Sequence, residues 1–545
     1  MSPADKLIKN YYQSWFRFHP EVAVDAGVEG YAHLLTPCDD DDIGALSALN
    51  EMLLSALEEL DRQDLSEDQC LDLDILRSAA MLELKELVEQ DWRRRDPLRF
   101  LPVHAIYQLT LREVQDPSAA FNARLNAIPG YLRSARSHLQ VDSAQIPLNW
   151  LQGAVLEARE GAAYFRQLHH HPVLSRYRLD TELDAAAHAL EDYARFLETE
   201  LVDLAQGDYA CGREQFEMLL HHRHGLDIDA DNLHQLGQRL FDETLSELKA
   251  VTRDLQGDED IDGLTHKIYT EDRSSENLLD DYREGMEQAR VFITEKNLID
   301  LPARESLKVV ETPLFLRHEI PFVAYLEPAR NDSHQQGLYY VTLPEIDIDR
   351  GEHNAISLRH TCVHEAWPGH HLQFVTANLH PESSTLPRLL NPSATFYEGW
   401  ALYCEQLMQE QGFLAAPESR FILLKDRLWR ALRIMLDVEL HTRGLSLVLA
   451  SERLQLWLGF TSQQAMADLE WYTRMPTVPM GYATGWALIN AARTRLQSMD
   501  ADFSLRNFHD RLLSMGSVPL SKVIPRRFGD PLWTSVHREV FSVKG

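Results

Sequence analysis

The chain has 545 residues, 44% apolar and 25% charged, the balance of a globular protein. Its 53 basic and 84 acidic residues leave a formal charge of −31, which repels phosphate backbones and argues against nucleic acid as a partner. No stretch approaches the ~18 apolar residues of a membrane span, so no membrane partner is expected.

The opening text, MSPADKLIKNYYQSWFRFHPEVAV, holds no apolar run long enough for a signal peptide. Five scattered cysteines (Cys38, Cys70, Cys211, Cys362 and Cys404), odd in number and without a C-x-x-C pair, read as the reduced thiols of a cytoplasmic protein. DDDD at Asp39–Asp42 reads as a solvated loop. Residues 45–63, ALSALNEMLLSALEELDRQ, and residues 183–205, LDAAAHALEDYARFLETELVDLA, space apolar residues by three and four, the pattern of amphipathic helices. The histidine runs at His169–His171 and His221–His224 have no acidic or cysteine partner at ligand spacing nearby, and surface or helix-end roles are expected. DEDIDG, Asp258–Gly263, imitates the start of a calcium loop, but the twelfth position is Tyr269 where a bidentate glutamate is required.

From Leu307 to Leu343 the text changes. In LKVVETPLFLRHEIPFVAYLEPARNDSHQQGLYYVTL, β-branched and aromatic runs are cut by Pro313, Pro321, Pro328 and Gly337, which predicts a small antiparallel sheet. Helical text then returns until near the C-terminus. The expected fold is mainly α, with a helical part over 1–300 and a part over 301–545 that carries the small sheet beside the helices of interest.

Those helices hold the chemistry. TCVHEAWPGHHLQF, Thr361–Phe374, begins as H-E-x-x-H zinc helices do, with His364 and Glu365, but the fifth position is Pro368 and the next histidines are His370 and His371. Residues four apart on a helix lie ~40° apart in azimuth and ~6 Å along the axis, so two imidazoles can share one ion. Residues six apart point to different faces, and residues seven apart are ~10 Å apart. Pro368 offers no N–H to the carbonyl of His364, and Gly369 tolerates unusual dihedrals. Together they predict a break or bulge that absorbs two residues and turns His370 back toward His364. A kinked helix with capping histidines is the alternative. Downstream, NPSATFYEGWALYCEQL places Glu398 and Glu405 seven apart on one face of a helix that is apolar nearly all round. Two solvated glutamates are the alternative, but the apolar surround favours burial, and buried carboxylates need partners, for which a cation would serve.

HEAWPGHHLQ followed by FYEGWALYCEQL resembles the bacterial domain-of-unknown-function family 885, whose pattern is H-E-x-x-P-G-H-H-x-Q and then E-G-W-A-L-Y-x-E. LWRALRIMLDVELHTRG is similar to that family's R-x-x-x-D-x-x-x-H helix, through Arg433, Asp437 and His441. MPTVPMGYATG resembles its P-G-Q-A-x-x-Y-x-x-G segment through Pro476, Tyr482 and Gly485, with Thr477, Val478 and Pro479 in place of Gly-Gln-Ala. The family is similar to thimet-oligopeptidase-like and carboxypeptidase Taq-like zinc metallopeptidases. Aligning on Gly-His, the resemblance implies His364, His370 and Glu398 as ligands of Zn2+, with His371 the alternative to His370 as the second ligand.

The resemblance thus implies a large helical metallopeptidase-like fold whose halves wall a channel, and a zinc peptidase acting on short peptides. Glu365 is then the general base and Tyr482 the oxyanion donor, unless Tyr482 is a buried core tyrosine. His371 and Glu405 are expected to contact substrate or support a ligand. Asp437 and His441, one turn apart, are expected either to support a ligand or to pair within their helix. GLYYVTL is expected to hydrogen-bond an extended peptide as an added strand. The rival readings are a zinc hydrolase of a non-peptide amide or ester, and a helical binding protein without activity.

Overall fold

The apolar spacing of the helical text is realised as buried stripes. The computed structural model describes residues 2–271, 277–317, 320, 322–344 and 353–542. Pro321, one of the expected strand breaks, lies outside them. The chain divides into two units, each with its own core. The first is Met1–Tyr209 with Pro313–Leu316 and Ala329–Ser333; the second is Ala210–Thr312, Arg317–Pro328 and His334–Gly545.

In the first unit, α1 (Pro3–Trp15), α2 (Asp40–Glu59), α3 (Glu67–Lys85), α4 (Pro117–Leu139), α5 (Leu148–Gln167) and α6 (Asp180–Phe196) pack around aliphatic side chains. Capping boxes start α1 at Ser2 and α3 at Ser66. Helix α2 buries Leu46, Asn50, Leu53 and Leu57, one side of its spacing of three and four. The four aspartates expected in a loop instead begin this helix. Asp39 takes the N-cap position and Asp40, Asp41 and Asp42 fill the first turn, where the helix dipole favours negative charge. Asp40 also pairs with Arg93 at 2.7 Å. His169 has acidic partners the sequence reading did not find: Asp180 at 2.7 Å and Asp184 at 3.1 Å, both brought to it by the start of α6.

The second unit holds α7 (Ala230–Gln256), α8 (Leu278–Glu295), α9 (Ala355–Glu365), α10 (His370–Leu379), α11 (Ala394–Glu410), α12 (Pro417–Thr442) and α13 (Gly481–Met499), together with a three-stranded sheet. The strands are β1 (Ser306–Glu311), β2 (Val323–Leu326) and β3 (Gln336–Val341), in the order β1-β3-β2. β2 runs antiparallel to β3, with Tyr325 opposite Tyr339, whereas β1 runs parallel to it, with Val309 opposite Tyr339. The sheet is therefore mixed, not antiparallel throughout. The chain reverses between β1 and β2 and again between β2 and β3, so β1 and β3 point the same way, and because β3 sits in the middle the two pair in parallel. Alternation within a strand carries no information about which strand becomes the centre. Both edges of β3 are paired, so GLYYVTL has no edge to offer an added peptide strand, which corrects that expectation.

Helices α11 and α13 cross closely at a pair of glycines. A Cβ on Gly399 would stand 2.5 Å from the Gly485 backbone, and one on Gly485 would stand 1.8 Å from the Thr395 carbonyl. This crossing sets Glu398 of α11 against Tyr482 of α13.

Candidate metal centre

Asn354 caps α9 by accepting the Ser357 N–H, and the helix runs to Glu365. The Ala366 N–H still bonds the Cys362 carbonyl, at 3.0 Å. After that the ladder breaks. The Gly369 N–H bonds the Val363 carbonyl at 3.1 Å, and the Leu372 N–H bonds the Ala366 carbonyl at 3.3 Å, each six residues back instead of four. The two additional residues are absorbed in this turn, which contains a cis Trp367–Pro368 peptide and ends where α10 begins. The Trp400 indole N–H of α11 donates to the Pro368 carbonyl at 2.8 Å and ties the turn to the neighbouring helix.

Gly369 is required by close approach: a Cβ there would stand 1.8 Å from the His364 carbonyl oxygen and 2.4 Å from that of Val363. Both obstacles are backbone, so Gly369→Ala must open the turn. The expected result is a melting temperature lowered by several degrees together with loss of tight zinc binding, read by calorimetry and elemental analysis. Unchanged values of both would show that this geometry does not hold the site.

The turn returns His370 to His364. Their rings cross at 86° with centroids 5.0 Å apart. Glu398 of α11 completes the group: its Oε2 lies 3.7 Å from His364 Nε2 and 3.3 Å from His370 Nε2. Two ligands each ~2.1 Å from a tetrahedral ion stand ~3.4 Å apart, so these separations match shared coordination. Glu398 Oε2 is buried and has no hydrogen-bond partner among the described residues, because neither imidazole approaches it with hydrogen-bond geometry. A desolvated carboxylate oxygen in that state suits a cation, so the donor set of two nitrogens and one oxygen fits zinc.

Glu405, two turns after Glu398, supports His364 from behind. Its Oε1 is 2.7 Å from His364 Nδ1, and its Oε2 is 3.6 Å from Nδ1 of His360. A carboxylate on Nδ1 leaves Nε2 for the cation. The pocket favours positive charge. Burial alone would push His364 down, but the Glu398 and Glu405 carboxylates beside it carry it up to about 10. Burial opposes ionisation of Glu398 as well, yet His370 and His364 hold its carboxyl well below the usual range. Glu365, the last residue of α9, is shifted the other way: burial raises its carboxyl against the pull of His364 and His370.

Tyr482 stacks on His364, with centroids 6.2 Å apart at 16°, and lies near enough to the Glu398 carboxylate to feel its charge. Burial and the Glu398 charge keep the Tyr482 hydroxyl protonated, well above its usual range. Arg433 sits over the same ring at 4.8 Å while paired with Asp468.

Asp437 and His441 make their contacts elsewhere. Asp437 accepts the N–H groups of Thr477 and Met480, each at 3.2 Å, and so fixes the turn before α13. His441 donates to the Tyr472 carbonyl at 3.0 Å and stands 3.8 Å from Asp437, too far for the expected helix-internal pair. His371 also points away from Glu398: its Nε2 is 3.0 Å from Glu305 and its Nδ1 3.1 Å from the Tyr325 hydroxyl.

Several supporting residues escaped the sequence reading. His360 precedes His364 by one helical turn, a spacing that could have marked it. His224, expected at the surface or a helix end, closes a helix but is buried, bonding Ser393 Oγ at 2.9 Å and Thr477 Oγ1 at 3.0 Å. It thereby holds the start of α11. A second grouping, Cys38, Asp39 and His138, lies in the first unit. There burial pushes the Cys38 thiol up to about 11, away from the thiolate a metal needs.

The family model described as "Bacterial protein of unknown function (DUF885)" matches residues 20–524. A candidate lipoprotein of unknown function from Shewanella oneidensis is 20% identical with a TM-score of 0.77, over 96% of this chain and 99% of its own. A candidate lipoprotein from Colwellia psychrerythraea is 18% identical with a TM-score of 0.81, over 98% and 100%. These two share the fold. The M32 carboxypeptidase from Deinococcus radiodurans R1 is 12% identical with a TM-score of 0.41, over 98% and 100%. No curated protein matches the chain. No helix among the described residues is long and apolar enough to cross a membrane.

Proposed function

The chain belongs to the family of bacterial proteins of unknown function DUF885, and since no activity comes with that membership, we propose from the site itself that this is a zinc-dependent peptidase acting on short peptides. The observation that carries the reading is the convergence of two imidazole Nε2 atoms on one buried, hydrogen-bond-free carboxylate oxygen at separations of 3.3 and 3.7 Å. His364, His370 and Glu398 would hold the zinc, which when bound lowers the pKa of a water and polarises a carbonyl.

The rest of the chemistry falls to the chain. Glu365 accepts the proton of the attacking water and passes it to the leaving amine. Burial raises its carboxyl and so makes it a better proton acceptor than a solvated glutamate. Tyr482, kept protonated, donates its hydroxyl hydrogen bond to the oxygen that gains charge. Arg433, over the Tyr482 ring, helps to hold it in place. Glu405 and His360 stand behind His364 and keep its Nε2 presented to the pocket.

The test is metal analysis joined to a substrate screen. About one zinc per chain is expected in protein prepared without a histidine tag, and a chelator should abolish turnover of a short-peptide library. Absence of metal after zinc supplementation would sink the enzyme reading. Bound zinc with turnover of amides or esters, but of no peptide, would move the function to another hydrolase class. Five free cysteines support a cytoplasmic protein, while the two structural neighbours are candidate lipoproteins; cell fractionation decides between cytoplasm and envelope.

A further inference from the structure

We propose that Tyr397 is a substrate-contacting residue, whose hydroxyl donates a hydrogen bond to a backbone carbonyl of the bound peptide, next to the scissile one, on the His370 side of the metal centre. The inference rests on the peptidase reading and adds a binding contact to it. Tyr397 directly precedes the ligand Glu398 on α11. Two other rings hold its own. It lies 6.2 Å from the His370 ring at 55° and 5.9 Å from the Phe374 ring at 42°. Phe374, one helical turn after His370 on α10, lies 5.9 Å from His370 in turn. Aromatic rings at such separations attract one another, so the three fix each other's positions.

The hydroxyl at the end of this fixed ring bonds nothing in the protein. Tyrosines elsewhere in the chain do find partners: Tyr11 donates to Asn50 at 2.8 Å, Tyr193 to the Pro97 carbonyl at 2.9 Å, and Tyr403 bonds His509 at 2.8 Å. Tyr397 has no hydrogen-bond partner among the described residues; Glu398, Arg223 and Glu327 act on it through charge alone. The side chain is half-buried, and its hydroxyl is not among the buried polar atoms that lack a partner, so it remains accessible. Phenylalanine would pack as well here, which leaves the hydroxyl for something that enters the pocket. A fixed ring also needs no ordering when a ligand arrives. The position matches that of Tyr482, which lies 6.2 Å from His364 as Tyr397 lies 6.2 Å from His370. One phenol thus flanks each imidazole. A phenol is protonated at neutral pH and donates, and the acceptors of a peptide backbone are its carbonyls. Successive carbonyls of an extended chain point in opposite directions, so donors on different imidazoles suit two neighbouring carbonyls: Tyr482 the scissile one, Tyr397 the next. Only the scissile oxygen gains charge in the reaction. The Tyr397 bond is therefore equally strong before and during it, and its loss falls on binding.

The test is Tyr397→Phe on zinc-loaded protein, which keeps the ring and removes the hydroxyl alone. KM is expected to rise about fivefold, the size of one neutral hydrogen bond, with kcat kept within about twofold. Tyr482→Phe should instead lower kcat, so the two variants separate the two phenols. Affinity for a peptidyl hydroxamate, measured by calorimetry, supplies a readout that needs no turnover, and Tyr397→Phe should weaken it about fivefold. Zinc affinity and the metal-free melting temperature should stay at their wild-type values, because the hydroxyl bonds nothing in the free protein. If zinc-loaded wild type cleaves no peptide but binds the hydroxamate and Tyr397→Phe weakens it, the peptidase reading fails and this assignment stands. Equal hydroxamate affinity in wild type and Tyr397→Phe, or no binding by wild type, overturns it. So does a loss confined to kcat, a lowered melting temperature, or weakened zinc binding, which would put the hydroxyl on Glu398 instead of on the substrate.

Discussion

Glu365→Gln is expected to leave zinc in place and to cut peptide turnover by ~10²–10⁴-fold, the range for loss of a general base. The expectation follows from where the side chain stands. Glu365 ends α9 directly after His364, yet none of the separations that define the N, N, O group involves it. Burial raises its carboxyl while His364 and His370 draw it down, which is the environment of a proton acceptor next to a cationic centre. Glutamine keeps the volume and leaves His364, His370 and Glu398 untouched. Metal content by elemental analysis should match wild type while kcat falls. Unchanged turnover would mean that another group activates the water. Lost zinc would mean that Glu365 belongs to the ligand set.

How much of this could be read from sequence depends on whether one helix or several elements carry the information. The Pro368-Gly369 pair announces a break because proline withdraws an N–H from the His364 carbonyl, and the structure closes that turn with bonds reaching six residues back. Glu398 and Glu405 share a face at a spacing of seven, and they serve the two nitrogens of His364 in turn, one at Nε2 and one at Nδ1. Such spacings are legible because one helix fixes them. Glu305 and Tyr325 lie 66 and 46 residues before His371, and only the packing of the sheet against α10 brings them to it. The parallel pairing of β1 with β3 depends likewise on β3 taking the centre. Asp437 shows the limit of the same rule. Its one-turn spacing to His441 is present in the sequence, but the carboxylate turns to the Thr477 and Met480 amides, which are buried donors needing an acceptor.

The neighbours His370 and His371 should separate cleanly on substitution. His370→Ala is expected to abolish tight zinc binding, because it removes the nitrogen that stands 3.3 Å from Glu398 and leaves two ligands. His371→Ala is expected to retain zinc, with affinity lowered by no more than the ~10–100-fold seen for residues behind a ligand shell. Adjacent helical residues point ~100° apart, and here each has its own partners: His370 faces the carboxylate of α11, His371 the carboxylate before β1. Stability should run in the opposite order. His371 is fully buried with both ring nitrogens bonded, so truncation leaves the Glu305 carboxylate and the Tyr325 hydroxyl without that partner and should lower the melting temperature. Without metal, His370→Ala removes a ring whose Nδ1 has no hydrogen-bond partner among the described residues, so the metal-free melting temperature should change less. Zinc content and metal-free melting temperature of the two variants therefore form a crossed pair. If His371→Ala loses the metal while His370→Ala keeps it, the two histidines must be exchanged, and the turn between α9 and α10 would have to absorb three residues instead of two.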